Sequence, residues 1–223
     1  MAAQRVSGSP GDSYGGYRTR LVETLREKGI RDLAVLKAVA EVPRHLFVPE
    51  SLRTKAYEDT SLPIGNGQTI SQPSTQARSL EALRLTGCEK VLEIGLGSGY
   101  QTALLCQLAG QVFAVERIQA LAEAAREALA AAGIRNASIL VGDGTLGWRA
   151  YAPYDAVVVA AASPEVPQPL LEQLAPGGRL LLPLGPRDAQ ALTLVTLGEA
   201  GPVLTPLTDA RFVPLLGRHG FHA

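Results

Sequence analysis

The sequence is poor in cysteine, with only Cys88 and Cys106 among 223 residues. Two thiols cannot build the disulfide framework of a small secreted protein, and their separation is not that of paired metal ligands. We interpret both as buried thiols of a protein in a reducing compartment. This predicts a cytoplasmic location and no metal site.

The sequence also lacks an excess of charge, because 21 Lys and Arg residues balance 21 Asp and Glu residues. Nucleic-acid binding depends on a basic surplus, so we expect no nucleic-acid partner. No apolar run is long enough to cross a bilayer, and residues 1–16 contain no apolar signal segment. We therefore predict no membrane partner and a disordered N-terminal lead-in over residues 1–16.

What the sequence does have is 46% hydrophobic residues, enough for one sizeable core. Strand patterns alternate with helix patterns from residue 91, and several strands are almost unbroken β-branched runs typical of parallel sheets. The predicted strands are residues 91–94, 112–115, 138–141, 155–159 and 179–184. This alternation predicts an α/β fold, with a doubly wound, mostly parallel sheet and helices on both faces.

The pattern changes after Gly185, where strand-like segments follow one another with only short turns. Residues 191–197, 203–207 and 211–215 are predicted to extend the sheet as an antiparallel C-terminal edge. Two amphipathic helices, over residues 17–28 and after the capping residue Asp32, precede the sheet, and residues 42–50 are predicted to be extended. We therefore predict a single domain over residues 17–223 with an N-terminal helical appendage.

Residues 62–73 combine Gly, Pro, hydroxyl and amide side chains with apolar residues, which ordinary solvent loops rarely do. One interpretation is a surface turn followed by a helix over residues 74–85, with Ser71 as the N-cap and Pro73 in the first turn. The other is a binding loop in which Thr69 and Ser71 supply hydrogen-bonding groups. The two are compatible, since a helix N-terminus also presents backbone N–H groups to an anion.

Three glycines, Gly95, Gly97 and Gly99, follow the first strand of the sheet at alternate positions. This is not the dinucleotide spacing, which needs two residues between the second and third glycines, and no P-loop lysine follows. A tight strand-to-helix turn remains an alternative interpretation. Glu116 and Asp143 favour a ligand site, because each follows a neighbouring strand at the edge where open α/β sheets bind ligands.

Carboxylates surround this predicted site: Glu93, Glu116 and Asp143 form an acidic rim. Such a rim does not suit phosphate, but it suits a ligand with ribose, adenine and a positive centre. S-adenosylmethionine has these properties, since its sulfonium is cationic. Glu93 as a salt-bridge partner and Glu116 as a helix-start residue remain alternatives.

The order of these motifs resembles that of class I S-adenosylmethionine-dependent methyltransferases, and the flanking segments resemble one family within them, the protein-L-isoaspartate O-methyltransferases. The resemblance spans roughly residues 18–217. It is carried by residues 43–49, 62–73, 91–95, 142–144, 152–155 and 211–215. The most discriminating segment is the Gly- and Pro-rich one before the sheet, which other methyltransferases lack.

The resemblance implies methyl transfer from S-adenosylmethionine to the free carboxylate of L-isoaspartyl residues in damaged proteins, which initiates their repair. It implies that Ser71 is the active-site serine, and that damaged proteins and peptides are the partners. The implied donor-binding residues are Thr69, Glu93, Gly95, Gly97, Ser98, Gly99, Glu116, Gly142 and Asp143. The implied acceptor-binding residues are Ile64, Ser71, Ala160 and Val213.

The chain departs from the family pattern at two places. Leu96 stands where the family usually has Thr between the first two glycines, and Ala160 begins an alanine run where a Thr is usual. Two other functions stay open on the sequence alone. One is a class I methyltransferase for a different small-molecule acceptor, and the other is a non-catalytic S-adenosylmethionine-binding module.

Overall fold

The computed structural model describes residues 13–198 and 200–222. The predicted lead-in lies mostly outside them, although the first helix already begins at Gly15. The α-helices of the described residues are α1 Gly15–Glu27, α2 Leu33–Glu41, α3 Pro73–Leu83, α4 Tyr100–Leu108, α5 Gln119–Ala131 and α6 Gln168–Leu171. No helix in this part of the chain is long and apolar enough to cross a membrane.

The strands form two sheets. Their bounds are β1 Leu62–Gly65, β2 Gln68–Ile70, β3 Lys90–Ile94, β4 Gln111–Glu116, β5 Ala137–Val141, β6 Tyr154–Val159, β7 Leu174–Leu184, β8 Gln190–Gly198 and β9 Gly201–Ala210. β1 and β2 pair as a hairpin, and the other seven form one sheet in the order β5-β4-β3-β6-β7-β8-β9. The first five of these are parallel, and β8 is antiparallel to both β7 and β9.

The central strands are apolar because the sheet is buried on both faces. Val91 and Ala156 belong to a core cluster shared with α1 to α4, whereas Leu92 and Val157 belong to a second cluster on the opposite face. Successive side chains of one strand therefore enter different cores, as the period of two requires. This confirms the predicted doubly wound fold with its antiparallel C-terminal edge.

Three local predictions were wrong. Residues 42–50 are not extended throughout, because two 3₁₀ helices, Arg44–Phe47 and Glu50–Lys55, occupy this region. Residues 211–215 form no ladder with β9, and only Pro214 makes an isolated bridge, to Ala162. Cys88 is exposed rather than buried, whereas Cys106 is buried in the core.

The N-terminus of α3 also differs from the prediction. The N-cap residue is Gln72, with Pro73 at the first helical position, so Ser71 lies outside the helix. Asp59 supplies the capping interaction from a distance, since its carboxylate accepts a hydrogen bond from the Ser74 N–H at 2.7 Å. This capping across the fold leaves the Ser71 side chain free of a helix-capping role.

Candidate active site

The glycine loop connects β3 to α4 with three left-handed residues. Gly95, Gly97 and Gly99 have φ values of +87°, +54° and +84°, a region that side-chain-bearing residues rarely occupy. Gly99 also packs closely, because a Cβ there would lie 3.1 Å from the Cβ of Ala125 in α5. The loop therefore needs glycine for its backbone conformation and, at Gly99, for its contact with α5.

Glu116, at the end of β4, holds the loop in place. One carboxylate oxygen accepts a hydrogen bond from the Gly97 N–H at 2.9 Å, and the other accepts one from the Ile118 N–H at 2.9 Å. The residue is buried but borders the cleft beside the loop. Each carboxylate oxygen keeps a second lone pair, so Glu116 can also accept hydrogen bonds from ligand hydroxyls.

The donor cleft is the depression at the carboxyl ends of β3, β4 and β6. The charged side chains among its lining residues are Glu116 and Arg117, so the cleft has no cationic surplus for phosphates. Ile118, Leu215 and Leu216 add an apolar surface that suits a flat base. Glu116, a hydrogen-bond acceptor beside the glycine loop, and the apolar wall together match a nucleoside that carries a cationic sulfonium. The residues of the cleft therefore fit S-adenosylmethionine.

The structure brings eight of the predicted site residues to this cleft: Thr69, Ser71, Gly95, Gly97, Ser98, Glu116, Ala160 and Val213. It does not bring Glu93, Gly99, Gly142, Asp143 or Ile64 to the cleft lining.

Glu93 lies beneath the glycine loop and is fully buried. Its carboxylate accepts hydrogen bonds from Thr102 Oγ1 at 2.5 Å and Gln101 Nε2 at 3.1 Å, both in α4. Burial raises the pKa of Glu93 from 4.5 to about 8, although the two hydrogen bonds oppose this shift. Glu93 therefore joins β3 to α4 instead of lining the acidic rim that the sequence predicted.

Asp143 caps the 3₁₀ turn Gly144–Leu146 and does not line the cleft. One oxygen accepts from the N–H and Oγ1 of Thr145 at 2.9 and 2.7 Å, and the other accepts from the Arg218 N–H at 2.8 Å. These hydrogen bonds outweigh desolvation and hold the pKa of Asp143 below its usual value. The carboxylate thus joins β5 to the C-terminal segment, and the adjacent Gly144 reaches the cleft in place of Gly142.

The hairpin of β1 and β2 lies over the glycine loop. A Cβ at Gly97 would lie 3.5 Å from Ile64 Cδ1, which shows how closely Ile64 approaches the loop. Asn66 and Gly67 both have positive φ, as two-residue hairpin turns require. Sequence analysis described this segment only as a loop, although its Asn-Gly pair is a strong hairpin signal.

Ser71 lies at the junction of the donor cleft and a second, adjacent groove. Both depressions are lined by Thr69, Ser71, Ala160 and Val213. The second has a volume of about 610 Å³ and lies between α3, the strands β8 and β9, and the segment that follows β9. We call this second depression the acceptor groove. These four residues form the border that the acceptor groove shares with the donor cleft.

Sequence analysis missed the role of Arg44, which is fully buried. Its guanidinium donates hydrogen bonds to the Ser71 carbonyl at 2.8 Å and to Gln76 Oε1 at 2.9 Å, and it stacks 4.5 Å from the Tyr100 ring centroid. Burial is the main cause that lowers the pKa of Arg44. Arg44 therefore connects the Ser71 backbone to the first residue of α4, immediately after the glycine loop.

Leu96, the first departure from the family pattern, has a structural explanation. Its side chain is buried in a small cluster with Ala114, Ala122 and Ala125, between β4 and α5. A hydrophobic residue is stabilised there by burial. Ala160 lies at the border of cleft and groove, with its Cβ 3.6 Å from where a Gly95 Cβ would stand.

The sheet order and the charge-neutral cleft at the carboxyl ends of β3 and β4 are those of a class I S-adenosylmethionine-dependent methyltransferase. Comparison with known proteins narrows this class to one family. Residues 17–220 match the family "Protein-L-isoaspartate(D-aspartate) O-methyltransferase (PCMT)", and the chain belongs to that family. The family resemblance noted in the sequence is thereby confirmed.

Individual relatives agree over nearly the whole chain. Protein-L-isoaspartate O-methyltransferase of Methanoculleus marisnigri is 52% identical over 205 residues, covering 92% of this chain and 93% of that one. The enzyme of that name from Pseudomonas paraeruginosa is 53% identical over 200 residues, covering 89% and 95%.

Solved structures with the same description are similar in fold. One has a TM-score of 0.82 at 31% identity, covering 91% of this chain and 67% of that chain. A second, from Plasmodium falciparum and in complex with S-adenosyl-L-homocysteine, has a TM-score of 0.79 at 26% identity, covering 89% and 98%.

Proposed function

We propose that this chain transfers a methyl group from S-adenosylmethionine to the free α-carboxylate of L-isoaspartyl residues in damaged proteins, initiating their repair. The observation that carries the proposal is the shared border at Ser71, where the donor cleft meets an acceptor groove of about 610 Å³. A small-molecule acceptor would not need a groove that continues along α3.

The acceptor chemistry requires little from the protein. An isoaspartyl carboxylate is ionised near pH 7, so no general base is needed to make it nucleophilic. When bound, the donor supplies an electrophilic methyl group, and S-adenosylhomocysteine leaves once the carboxylate oxygen forms the new C–O bond. The protein's main tasks are to orient the carboxylate and to exclude water.

Ser71 is proposed to donate a hydrogen bond from its hydroxyl to the acceptor carboxylate, with Thr69 beside it. Ala160 and Val213 bound the acceptor on the opposite side. Arg44 holds the Ser71 carbonyl, which orients this residue without contact with the substrate. Ser71 and Thr69 thus bind the reacting group, and Arg44 is a positioning residue.

Glu116 is proposed to accept hydrogen bonds from the donor's ribose hydroxyls. Gly95, Gly97 and Ser98 border the methionine portion. Gly144 and Ile118 are proposed to border the adenine, because both line the cleft. Glu93 acts only through α4, by fixing the helix that follows the loop.

The deciding experiment measures labelled methyl transfer to an isoaspartyl peptide and to its normal aspartyl twin. We expect labelling of the isoaspartyl peptide alone, as a base-labile methyl ester. Equal labelling of both peptides, or a base-stable product, would contradict the proposed function. The partners are then proteins that have accumulated isoaspartyl residues, and a cytoplasmic location is part of the proposal.

A further inference from the structure

The acceptor groove does not end at the acceptor site. It is lined by Arg78 of α3 and by Leu192 and Thr208 of β8 and β9. The same three residues line a third depression further along α3, so the two depressions adjoin each other. We call this further depression the distal groove.

The distal groove has an apolar floor and a cationic wall. Leu192 and Leu194 of β8 and Leu207 of β9 form the floor, and Leu207 is 44% exposed. Arg78 and Arg84 stand along the wall and are exposed. An apolar strip flanked by guanidinium groups suits a polypeptide that carries acidic side chains.

The carboxylates that face the two grooves offset only part of the arginine charge. Glu81 lines the distal groove together with two arginines, which leaves one positive charge in excess, and its Oε1 is held by backbone hydrogen bonds from Arg31 and Asp32, both at 2.7 Å. Asp209 lies beside Arg211 near the acceptor site. Arg78 donates to the Lys28 carbonyl at 3.3 Å and forms no ion pair with the described residues.

We propose that the distal groove binds the polypeptide that flanks the isoaspartyl residue, and that Arg78 selects for an acidic side chain there. The inference rests on the proposed function, because continuity with the acceptor groove is what identifies the occupant. Arg78 lies five residues after Pro73, the first residue of α3, which is about 7.5 Å of helical rise. An extended chain covers that distance in about three residues.

The test compares isoaspartyl peptides that carry Glu, Gln or Lys three residues before the isoaspartyl residue, and a second set with these three residues after it. On one of the two sides, kcat/KM should be about threefold to tenfold higher for Glu than for Lys, with Gln between them. The preference for Glu should shrink as salt is added, because the ion pair between Arg78 and the peptide carboxylate is exposed to solvent.

Arg78→Glu should reverse this order on the same side. Arg135→Glu is the matched control, because it makes the same charge change on an exposed residue that precedes β5, at the opposite edge of the sheet. It should leave the order unchanged. Arg78→Glu should also keep the wild-type affinity for S-adenosylhomocysteine and the wild-type melting temperature, which shows that the fold and the donor cleft are intact.

Equal kcat/KM for all charges on both sides, or an order that Arg78→Glu does not alter, would overturn the inference and leave the proposed function standing. If the wild-type protein methylated no isoaspartyl peptide, including those with Gln, the proposed function itself would fail. The two failures are therefore distinguishable in one set of assays.

Discussion

The two acidic residues closest to the glycine loop differ in environment and should differ in their response to substitution. Glu116 borders the cleft and accepts two backbone N–H groups, whereas Glu93 is sealed beneath it. Their carboxylates also repel each other, which contributes to the raised pKa of Glu93. The sequence presents them as equivalent members of one rim, and the fold gives them separate tasks.

Glu116→Gln should weaken binding of the methyl donor and of S-adenosylhomocysteine at least tenfold. An amide offers the ribose hydroxyls one uncharged acceptor oxygen in place of two charged ones, and a hydrogen bond to a charged group contributes about 1.5–3 kcal/mol. Calorimetric titration with S-adenosylhomocysteine measures the affinity. Glu123→Gln, an exposed change in α5, is the control and should bind like the wild type. Unchanged affinity in Glu116→Gln would contradict its proposed contact with the ribose.

Glu93 should make stability depend on pH. Its folded pKa of about 8 exceeds its ordinary value of 4.5, so the folded chain holds a proton that the unfolded chain releases. The stabilisation is fully present below about pH 4.5 and is lost as pH rises toward 8, on the order of a few kcal/mol.

Glu93→Gln should flatten this decline, because the neutral amide does not titrate. Denaturant unfolding at a series of pH values from 5 to 9 measures it, with the exposed Glu23→Gln as the control. Parallel curves for wild type and Glu93→Gln would show that the Glu93 proton is not linked to folding.

Arg44→Met should lower kcat for isoaspartyl peptide more than it weakens donor binding. The apolar chain fills part of the volume but leaves the Ser71 carbonyl and Gln76 Oε1 without their donor. Removing a buried charge offsets part of this loss of stability. Steady-state kinetics with both substrates, alongside a melting curve, separate the effects. A variant with wild-type kcat and only a lowered melting temperature would mean that Arg44 is purely structural.

At the scale of elements, the hairpin of β1 and β2 connects the acceptor groove to the donor cleft. It is a separate two-stranded sheet, with Ile64 above Gly97, and isolated hairpins are only marginally stable. Its position therefore depends on a turn in which Asn66 and Gly67 adopt positive φ. The geometry of the site should be more sensitive to this turn than the global stability is.

Asn66→Val tests this expectation, because a β-branched residue is strongly disfavoured at the observed φ of +52°. We expect turnover to fall about tenfold while the melting temperature changes by only a few degrees. Asn66→Gly, which tolerates the conformation, is the matched control and should retain turnover. Equal activity of the two variants would show that the hairpin conformation does not limit catalysis.

At the scale of the whole molecule, donor binding joins segments that are distant in the chain. The cleft is lined by residues from the hairpin, the glycine loop, the end of β4 and the C-terminal segment at Leu215 and Leu216. A ligand that binds only this assembled site stabilises the folded state by mass action. The size of the effect follows from ligand concentration and affinity.

S-adenosylhomocysteine at about 100 times its dissociation constant should stabilise the fold by about 2.7 kcal/mol. For a chain of this size, that corresponds to a rise of roughly 5–11 °C in melting temperature. Thermal unfolding with and without ligand measures the shift, and adenosine triphosphate should give a much smaller one, because the cleft lacks a cationic surplus. An equal shift in melting temperature with both ligands would contradict the inference that the charge of the cleft disfavours phosphates.

The parallel sheet, the glycine loop and the helix Tyr100–Leu108 that follows it could all be predicted from the sequence. These features depend on local periodicity and on residues adjacent in the chain, so their signals survive without tertiary information. Ser71 and Glu116 were also singled out from the sequence, and both line the cleft.

Which residues of those motifs face the cleft depends on contacts between segments that are distant in the chain. Glu93 lies near the end of β3 and Asp143 just after β5, yet their carboxylates bind α4 and the Arg218 N–H, partners 8 and 75 residues away in the chain. Asp59 likewise replaces Ser71 as the cap of α3, and Arg44 connects two loops that the sequence separates. Which of several possible partners a polar group takes depends on what folding brings within about 3 Å, and no local pattern records that distance.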